Sequence, residues 1–134
     1  MAYKIVSQAK AWWPIRFNGV TEDGEIVVNE IRGRFKILDE DEHIQLQLDM
    51  STATNGVATD QPDVKISDLI APYVLRILED WEGVTEDDGS ESGRSLPFNE
   101  DNLKRMLRVP NFSSGLATAH AEVRAASPER RKGN

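Results

Sequence analysis

Apolar and polar side chains alternate along residues 27–37. Ile31 and Phe35 fall on one face of an extended chain, and charged side chains fall on the other. A period of two residues is typical of a β-strand with one buried face and one solvent-exposed face. Residues 12–17 are rich in aromatic and β-branched side chains and predict a second strand, in which Pro14 favours an edge position or a bulge.

Two turn dipeptides separate these strands. Asn18-Gly19 and Asp23-Gly24 both favour tight turns, so we expect the chain to reverse between them. The two strands then form a hairpin or a small antiparallel meander. Residues 1–10, which precede them, predict a mobile arm or a short edge strand.

An acidic segment marks the start of the helical part. Asp39 and Glu42 have the spacing of a capping box. The apolar positions of residues 43–50 fit an alternating strand and also i,i+4 pairs of a helix. The acidic start favours the helix, because carboxylates are stabilised at a helix N-terminus. Residues 51–62, rich in Thr, Ser, Asn and Gly, predict a loop.

The widest apolar stripe lies in residues 67–82, where large apolar side chains recur every three or four positions and predict one helix. Pro72 is best tolerated in a first turn, so the regular part is expected to begin near Ala71. Gly83 suits the end of this helix. Trp81, the last member of the stripe, is expected in the core.

Two further helices are predicted after an acidic loop at residues 86–95. Asn99 is placed to cap the first, which Pro110 ends. The second runs over about residues 112–126. Its expected inward positions are Leu116, Ala119 and Val123.

These elements predict an α+β fold in one domain, residues 1–127. An N-terminal β-hairpin or small antiparallel meander is followed by three to four C-terminal α-helices, and residues 128–134 form a basic, disordered tail. A length of 134 residues with 39% hydrophobic content suits one modest core.

Charge is unevenly distributed along the chain. The net charge of −7 divides into +2 over residues 1–36, −14 over residues 37–101 and +5 over residues 102–134. An acidic middle repels phosphates, so nucleic acid is not an expected partner. No apolar run approaches the length of a membrane span, and the start of the chain lacks the pattern of a signal peptide. The absence of cysteine favours a reducing compartment.

Few residues suggest catalysis or metal binding. His43 and His120 are far apart in sequence and are interpreted as surface or half-buried histidines. An EF-hand alignment of the acidic loop puts Asp88 at its first position but Asn99 where a glutamate is required. No nucleophile elbow or phosphate-binding loop is present. We therefore expect no enzyme activity, no cofactor and no metal.

Trp12 and Trp13 are the strongest candidates for a protein contact. Neighbouring residues of a strand point to opposite faces, so one should enter the core and the other face outward. An outward tryptophan on an edge strand suits a partner interface. The alternative is that helices cover both faces.

Four stretches resemble the tail assembly chaperones of long-tailed bacteriophages. They are Trp-Pro-Ile-Arg-Phe at residues 13–17, Arg-Phe-Lys-Ile-Leu at 34–38, Asp-Trp-Glu-Gly-Val at 80–84 and Leu-Pro-Phe-Asn-Glu-Asp-Asn-Leu at 96–103. The basic end, Arg-Arg-Lys-Gly-Asn, is similar too. The long loop at 51–62 and the insertion at 90–94 depart from the family pattern.

The resemblance implies a chaperone that binds the tape measure protein and keeps it soluble until the tail tube polymerises. It implies a protein of the host cytoplasm that is absent from the mature virion. This chain would be the short form, with a frameshifted longer form as a further partner.

Opposite charges also suggest helical or spiral self-association, in which the acidic middle of one copy meets Lys104, Arg105 and Arg108 of the next. A structural tail or head–tail connector protein is the main alternative function. An enzyme or small-molecule binder is the third.

Overall fold

The computed structural model describes residues 2–6, 8–55 and 65–126. The α+β prediction is confirmed, with two strands before residue 40 and four helices in the described residues. In chain order the elements are β1 (Ala9–Val20), β2 (Ile26–Ile37), α1 (Glu40–Asn55), α2 (Ile66–Val74), β3 (Leu78–Glu82), β4 (Thr85–Glu86), β5 (Arg94–Ser95), α3 (Glu100–Leu107) and α4 (Phe112–Ala125).

β1 and β2 form a long antiparallel hairpin, as their alternating patterns predict. The ladder pairs all 12 residues of each strand. The chain reverses over residues 21–25, where Gly24 has a φ of 85°, a conformation that glycine adopts at little cost. The turn predicted at Asn18-Gly19 is wrong, because Asn18 and Gly19 continue β1 and pair with β2.

The described start of the chain has two parts, one before β1 and one within it. Residues 2–6 have no helix or strand, whereas Ala9 and Lys10 are the first residues of β1. β1 pairs only with β2 in the described sheet, so the edge position suggested by Pro14 is confirmed. Of the two alternatives for residues 1–10, the edge strand is therefore correct for residues 9 and 10 only.

The single helix predicted over residues 67–82 is wrong in its second half. α2 already begins at Ile66, not near Ala71, and ends at Val74. Pro72 therefore lies in the last turn of α2 rather than the first, and its missing N–H removes one hydrogen bond from this short helix. The chain turns and adds β3 to the sheet, in the order β1-β2-β3.

A register shift explains why β3 resembled a helix in sequence. The pairing between β2 and β3 shifts between Arg34 and Phe35. Because of this irregularity, Leu78 and Trp81 both lie in the core although they are three residues apart. Gly83, the predicted helix end, instead follows β3 with a φ of 94°.

Both predicted helix caps are confirmed. The Glu42 N–H donates to Asp39 Oδ1 at 2.9 Å, and the Asp39 N–H donates to Glu42 Oε1 at 3.3 Å. At α3, the Asn102 N–H donates to Asn99 Oδ1 at 2.8 Å.

Helix is also the correct alternative for residues 43–50. The loop predicted from Ser51 is wrong at its start, because α1 continues to Asn55.

α4 lies against the hairpin and closes the core. Gly115 permits a close approach, since a β-carbon there would lie 2.2 Å from the Arg16 carbonyl oxygen. The Phe17 and Phe112 rings meet edge to face at 5.3 Å. The predicted inward positions Leu116, Ala119 and Val123 are buried.

Trp81 is a core residue, as predicted. It is 5% exposed, and its indole N–H donates to the Leu96 carbonyl oxygen at 2.8 Å. The Phe98 ring meets it edge to face at 5.0 Å. The predicted acidic loop is irregular except at its ends, where β4 and β5 pair.

None of the helices in the described ranges is long and apolar enough to cross a bilayer. Most of the predicted 51–62 loop and the predicted tail at 128–134 lie outside the described residues.

Candidate partner-binding groove

An open groove with a volume of about 670 Å³ lies between α1, α2 and α4. Its walls are mainly apolar, which favours binding of an apolar partner surface over a polar ligand. The side chains that form most of the walls include Leu46, Met50, Ile70, Tyr73, Leu116 and Ala117.

The groove is open because α1 does not have a single apolar face. Only Leu46 of α1 is buried. Ile44 and Leu48 are 47% and 58% exposed and do not line the groove, so α1 has apolar surface on a second side as well. An ion pair of 2.8 Å between Asp49 and Arg76 holds α1 to the segment after α2. Exposed apolar surface of this kind is typical of interaction sites.

Two histidines meet at the groove although they are distant in sequence. The ring centres of His43 in α1 and His120 in α4 are 5.6 Å apart, and His120 stacks on Phe35 at 6.1 Å. His120 is only 9% exposed, so the expectation of a surface or half-buried residue is wrong for His120. His43 is half-buried, as expected.

Each ring has one nitrogen without a hydrogen-bond partner among the residues that the structure describes. His43 Nδ1 and His120 Nε2 are buried and accept or donate no hydrogen bond within the described part of the chain. Burial lowers the pKa of His120 to about 4, and the neighbouring charges of His43 and Arg124 act in the same direction. Burial, and secondarily Arg124, also lowers the pKa of His43. Both rings are therefore neutral near pH 7.

Two histidines alone are a poor metal site. Among the residues that the structure describes, no group of three or more His, Cys, Asp and Glu side chains could hold an ion. The side chains considered for calcium have local roles instead. Asp88 Oδ1 accepts from the N–H and hydroxyl of Ser90, and Asn99 caps α3.

The two adjacent tryptophans point to opposite faces of β1. Trp13 is 7% exposed, and its indole N–H donates to Glu122 Oε1 at 3.4 Å. Trp12 lies on the other face, half-buried, with the Arg32 guanidinium 5.2 Å from its ring centre. Of the two predicted contact residues, Trp13 is therefore a core residue and only Trp12 is accessible.

The three predicted basic contact residues form ion pairs within the chain. Lys104 pairs with Glu100 at 3.4 Å, and Arg105 pairs with Glu86 at 2.9 Å. Arg108 lies between α3 and α2, where it contacts Asp68 at 3.0 Å and the Ser67 hydroxyl at 3.1 Å. Arg105 and Arg108 join α3 to the rest of the fold, whereas the Lys104 pair lies within α3. All three charges are therefore already partly neutralised.

A second apolar surface lies at the far end of the hairpin. Val20, Ile26 and Val28 are 73%, 76% and 64% exposed. A cleft of about 470 Å³ separates this end from the link between α3 and α4. It is smaller than the α1–α2–α4 groove and has fewer apolar walls.

The groove was not predictable from the sequence. Its walls come from three helices, and the pairing of His43 with His120 depends on how α1 lies against α4. The one available signal was the exposed apolar pattern of α1, which fitted both strand and helix.

Comparisons of the chain with protein-family models, with curated proteins and with solved structures found no match.

Proposed function

We propose that the protein is a non-enzymatic tail assembly chaperone that holds an apolar helix of the tape measure protein in the α1–α2–α4 groove. It would act in the host cytoplasm, together with a frameshifted longer form, and leave before the virion is complete. The four sequence stretches that resemble this family support the proposal. The open apolar groove is the structural observation that carries it.

The dimensions of the groove suit a helical partner. The side chains of α4 that line the groove run from Ser113 to Ala125, about 18 Å at 1.5 Å per residue. About three turns of a partner helix would lie along this wall. Helices that bind in grooves do so through a stripe at i, i+3, i+4 and i+7. Tape measure proteins are long and helical, and they need such stripes covered before the tube assembles.

Charge near the groove restricts the partner further. Glu40, Asp41 and Glu42 are exposed in the first turn of α1, beside His43. A helix with basic residues beside its apolar stripe would therefore match this rim better than an acidic helix. The partner class is an amphipathic helix with an apolar stripe and a basic flank.

The test is co-expression with the tape measure protein of the same phage, followed by pull-down. Ala117 and Thr118 are adjacent and exposed in α4, but only Ala117 lines the groove. A117E places a charge where the apolar stripe would lie, so capture should fall at least about tenfold. T118E is the matched control and should capture normally.

Two results would contradict the proposal. Equal capture by A117E and T118E would exclude the groove as the binding surface. Detection of the protein in purified virions in a fixed copy number would favour the structural tail or head–tail connector.

A further inference from the structure

The segment before β1 exposes a cluster of large apolar side chains. Tyr3, Ile5 and Val6 are 85%, 86% and 50% exposed. We call residues 2–6 the arm. Three large apolar side chains in five exposed residues are an unusual concentration for a surface, and such patches are typical of interaction sites.

We propose that the arm of one copy binds in the α1–α2–α4 groove of a second copy. The proposal uses the groove of the proposed function, but it rests on the arm and groove of this chain alone and holds whether or not the partner is a tape measure protein. It predicts that the protein self-associates through an apolar contact.

The arm fits the groove in length and in apolar character. Five extended residues span about 17 Å, which is close to the stretch of about 18 Å over which α4 lines the groove. In an extended arm, Tyr3 and Ile5 point to the same side. They would face the apolar walls, while Lys4 points away from them.

The charges of the two surfaces are complementary. Lys4 is the only charged residue of the arm. The exposed first turn of α1, with Glu40, Asp41 and Glu42, lies beside the groove. An extended arm that enters at this end would place its ammonium group near three carboxylates, which favours one direction of entry.

The unpartnered histidine nitrogens provide a second match. An extended arm brings backbone N–H and C=O groups into the groove, and these groups need hydrogen-bond partners when water is excluded. His43 Nδ1 and His120 Nε2 are buried on the groove lining without partners in the described residues. A neutral imidazole nitrogen can donate to a C=O or accept from an N–H, so the pair suits a peptide segment better than a purely apolar ligand.

Binding to a second copy explains why the arm is exposed in a single copy. Next to the arm, Gln8 Nε2 donates to the Ile37 carbonyl oxygen at 3.4 Å, which places the root of the arm at the sheet edge. One arm and one different acceptor per copy make a heterologous contact. Such a contact forms either open chains or a reciprocal pair.

The experiment is sedimentation velocity of the full chain over a concentration series, with three variants. Y3S/I5S removes the apolar side chains of the arm but leaves the groove intact. A117E blocks the groove but leaves the arm intact. T118E is the matched control. Y3S/I5S removes two apolar side chains that the proposed contact would bury, so it should weaken self-association at least about tenfold. A117E should have a similar effect.

The decisive sample is an equimolar mixture of Y3S/I5S and A117E. Each variant alone should be a monomer, because one lacks the arm and the other lacks the groove. The mixture should form a 1:1 heterodimer, because one intact arm can bind one intact groove. Wild type and T118E should self-associate equally.

Three results would overturn the proposal. They are a wild type that is monomeric at every concentration, a mixture that stays monomeric, and oligomers of Y3S/I5S as large as those of wild type. Binding of each arm to the groove of its own copy would also give a monomeric wild type, and it would therefore overturn the proposal too. Capture of the tape measure protein is measured with Y3S/I5S alone, because its groove is intact and no arm competes for it. If this variant fails to capture the tape measure protein but still forms the heterodimer with A117E, only the proposed function is contradicted.

Discussion

Replacing Gly115 by alanine sets two effects of opposite sign against each other. Alanine is the better helix former and would stabilise the first turn of α4 by at most about 1 kcal/mol. Its β-carbon, however, would lie 2.2 Å from the Arg16 carbonyl oxygen and 3.1 Å from the Phe17 β-carbon. The first distance is about 1 Å below an ordinary contact, and a backbone oxygen cannot rotate away.

α4 must therefore move away from β1. That shift loosens the edge-to-face contact of Phe17 with Phe112, which is one of the largest fully buried side chains. Overpacking of this kind costs about 1–3 kcal/mol, and a clash with backbone belongs near the upper end. After the gain in helix propensity, Gly115→Ala should lower the free energy of unfolding by about 1–2 kcal/mol.

Urea denaturation followed by tryptophan fluorescence measures this change, since Trp13 and Trp81 are both buried. Ser114→Ala is the matched control, because Ser114 is exposed in the same turn of α4. Its free energy of unfolding should stay within about 0.5 kcal/mol of wild type or rise slightly. A Gly115→Ala variant as stable as wild type would show that α4 does not approach β1 this closely.

Three further changes test the core, a helix start and the buried histidine. Trp81→Ala should lower the free energy of unfolding by about 3–5 kcal/mol, and a loss below about 1 kcal/mol in urea would exclude a core position. Asn99→Ala should cost about 1 kcal/mol through loss of the α3 cap, so an unchanged midpoint would contradict the observed start. His120 has a pKa of about 4 in the folded state against 6.5 unfolded, so the unfolded chain binds more protons between these values. Stability should therefore fall by about 2–3 kcal/mol from pH 6.5 to 4, and His120→Gln should lose less over the same window in urea titrations.

The hairpin was predictable because each of its two strands has one face buried in the core. Period 2 in β2 requires only that Ile31 and Phe35 meet a core, and the fold satisfies this condition with α4. The helix caps were predictable for a similar reason. Asp39 and Asn99 act on N–H groups within three residues, so their effect does not depend on the tertiary structure.

β3 could not be predicted from the same kind of pattern. Leu78 and Trp81 have a helical spacing, and only the register shift against β2 places both in the core of a strand. The chain forms β3 instead of a longer helix because the edge of β2 that β1 leaves unpaired supplies hydrogen-bond partners. Pro72 had already weakened α2 just before this segment. A pattern that two structures satisfy equally is decided by the neighbouring element.

The charge pattern along the chain has a different meaning in the fold. It predicted contact between the acidic middle of one copy and the basic end of the next. In the structure Arg105 and Arg108 meet Glu86 and Asp68 of the same copy, across the boundary between the two charged segments. Exposed pairs contribute about 0–1 kcal/mol each, and a side chain already paired gains less from a new partner.

Charge reversal at these positions would also loosen α3, so a loss of self-association in such a variant would not identify an intermolecular contact. The arm and groove variants avoid this ambiguity, because Tyr3, Ile5 and Ala117 are exposed and their replacement leaves every ion pair of the described chain in place.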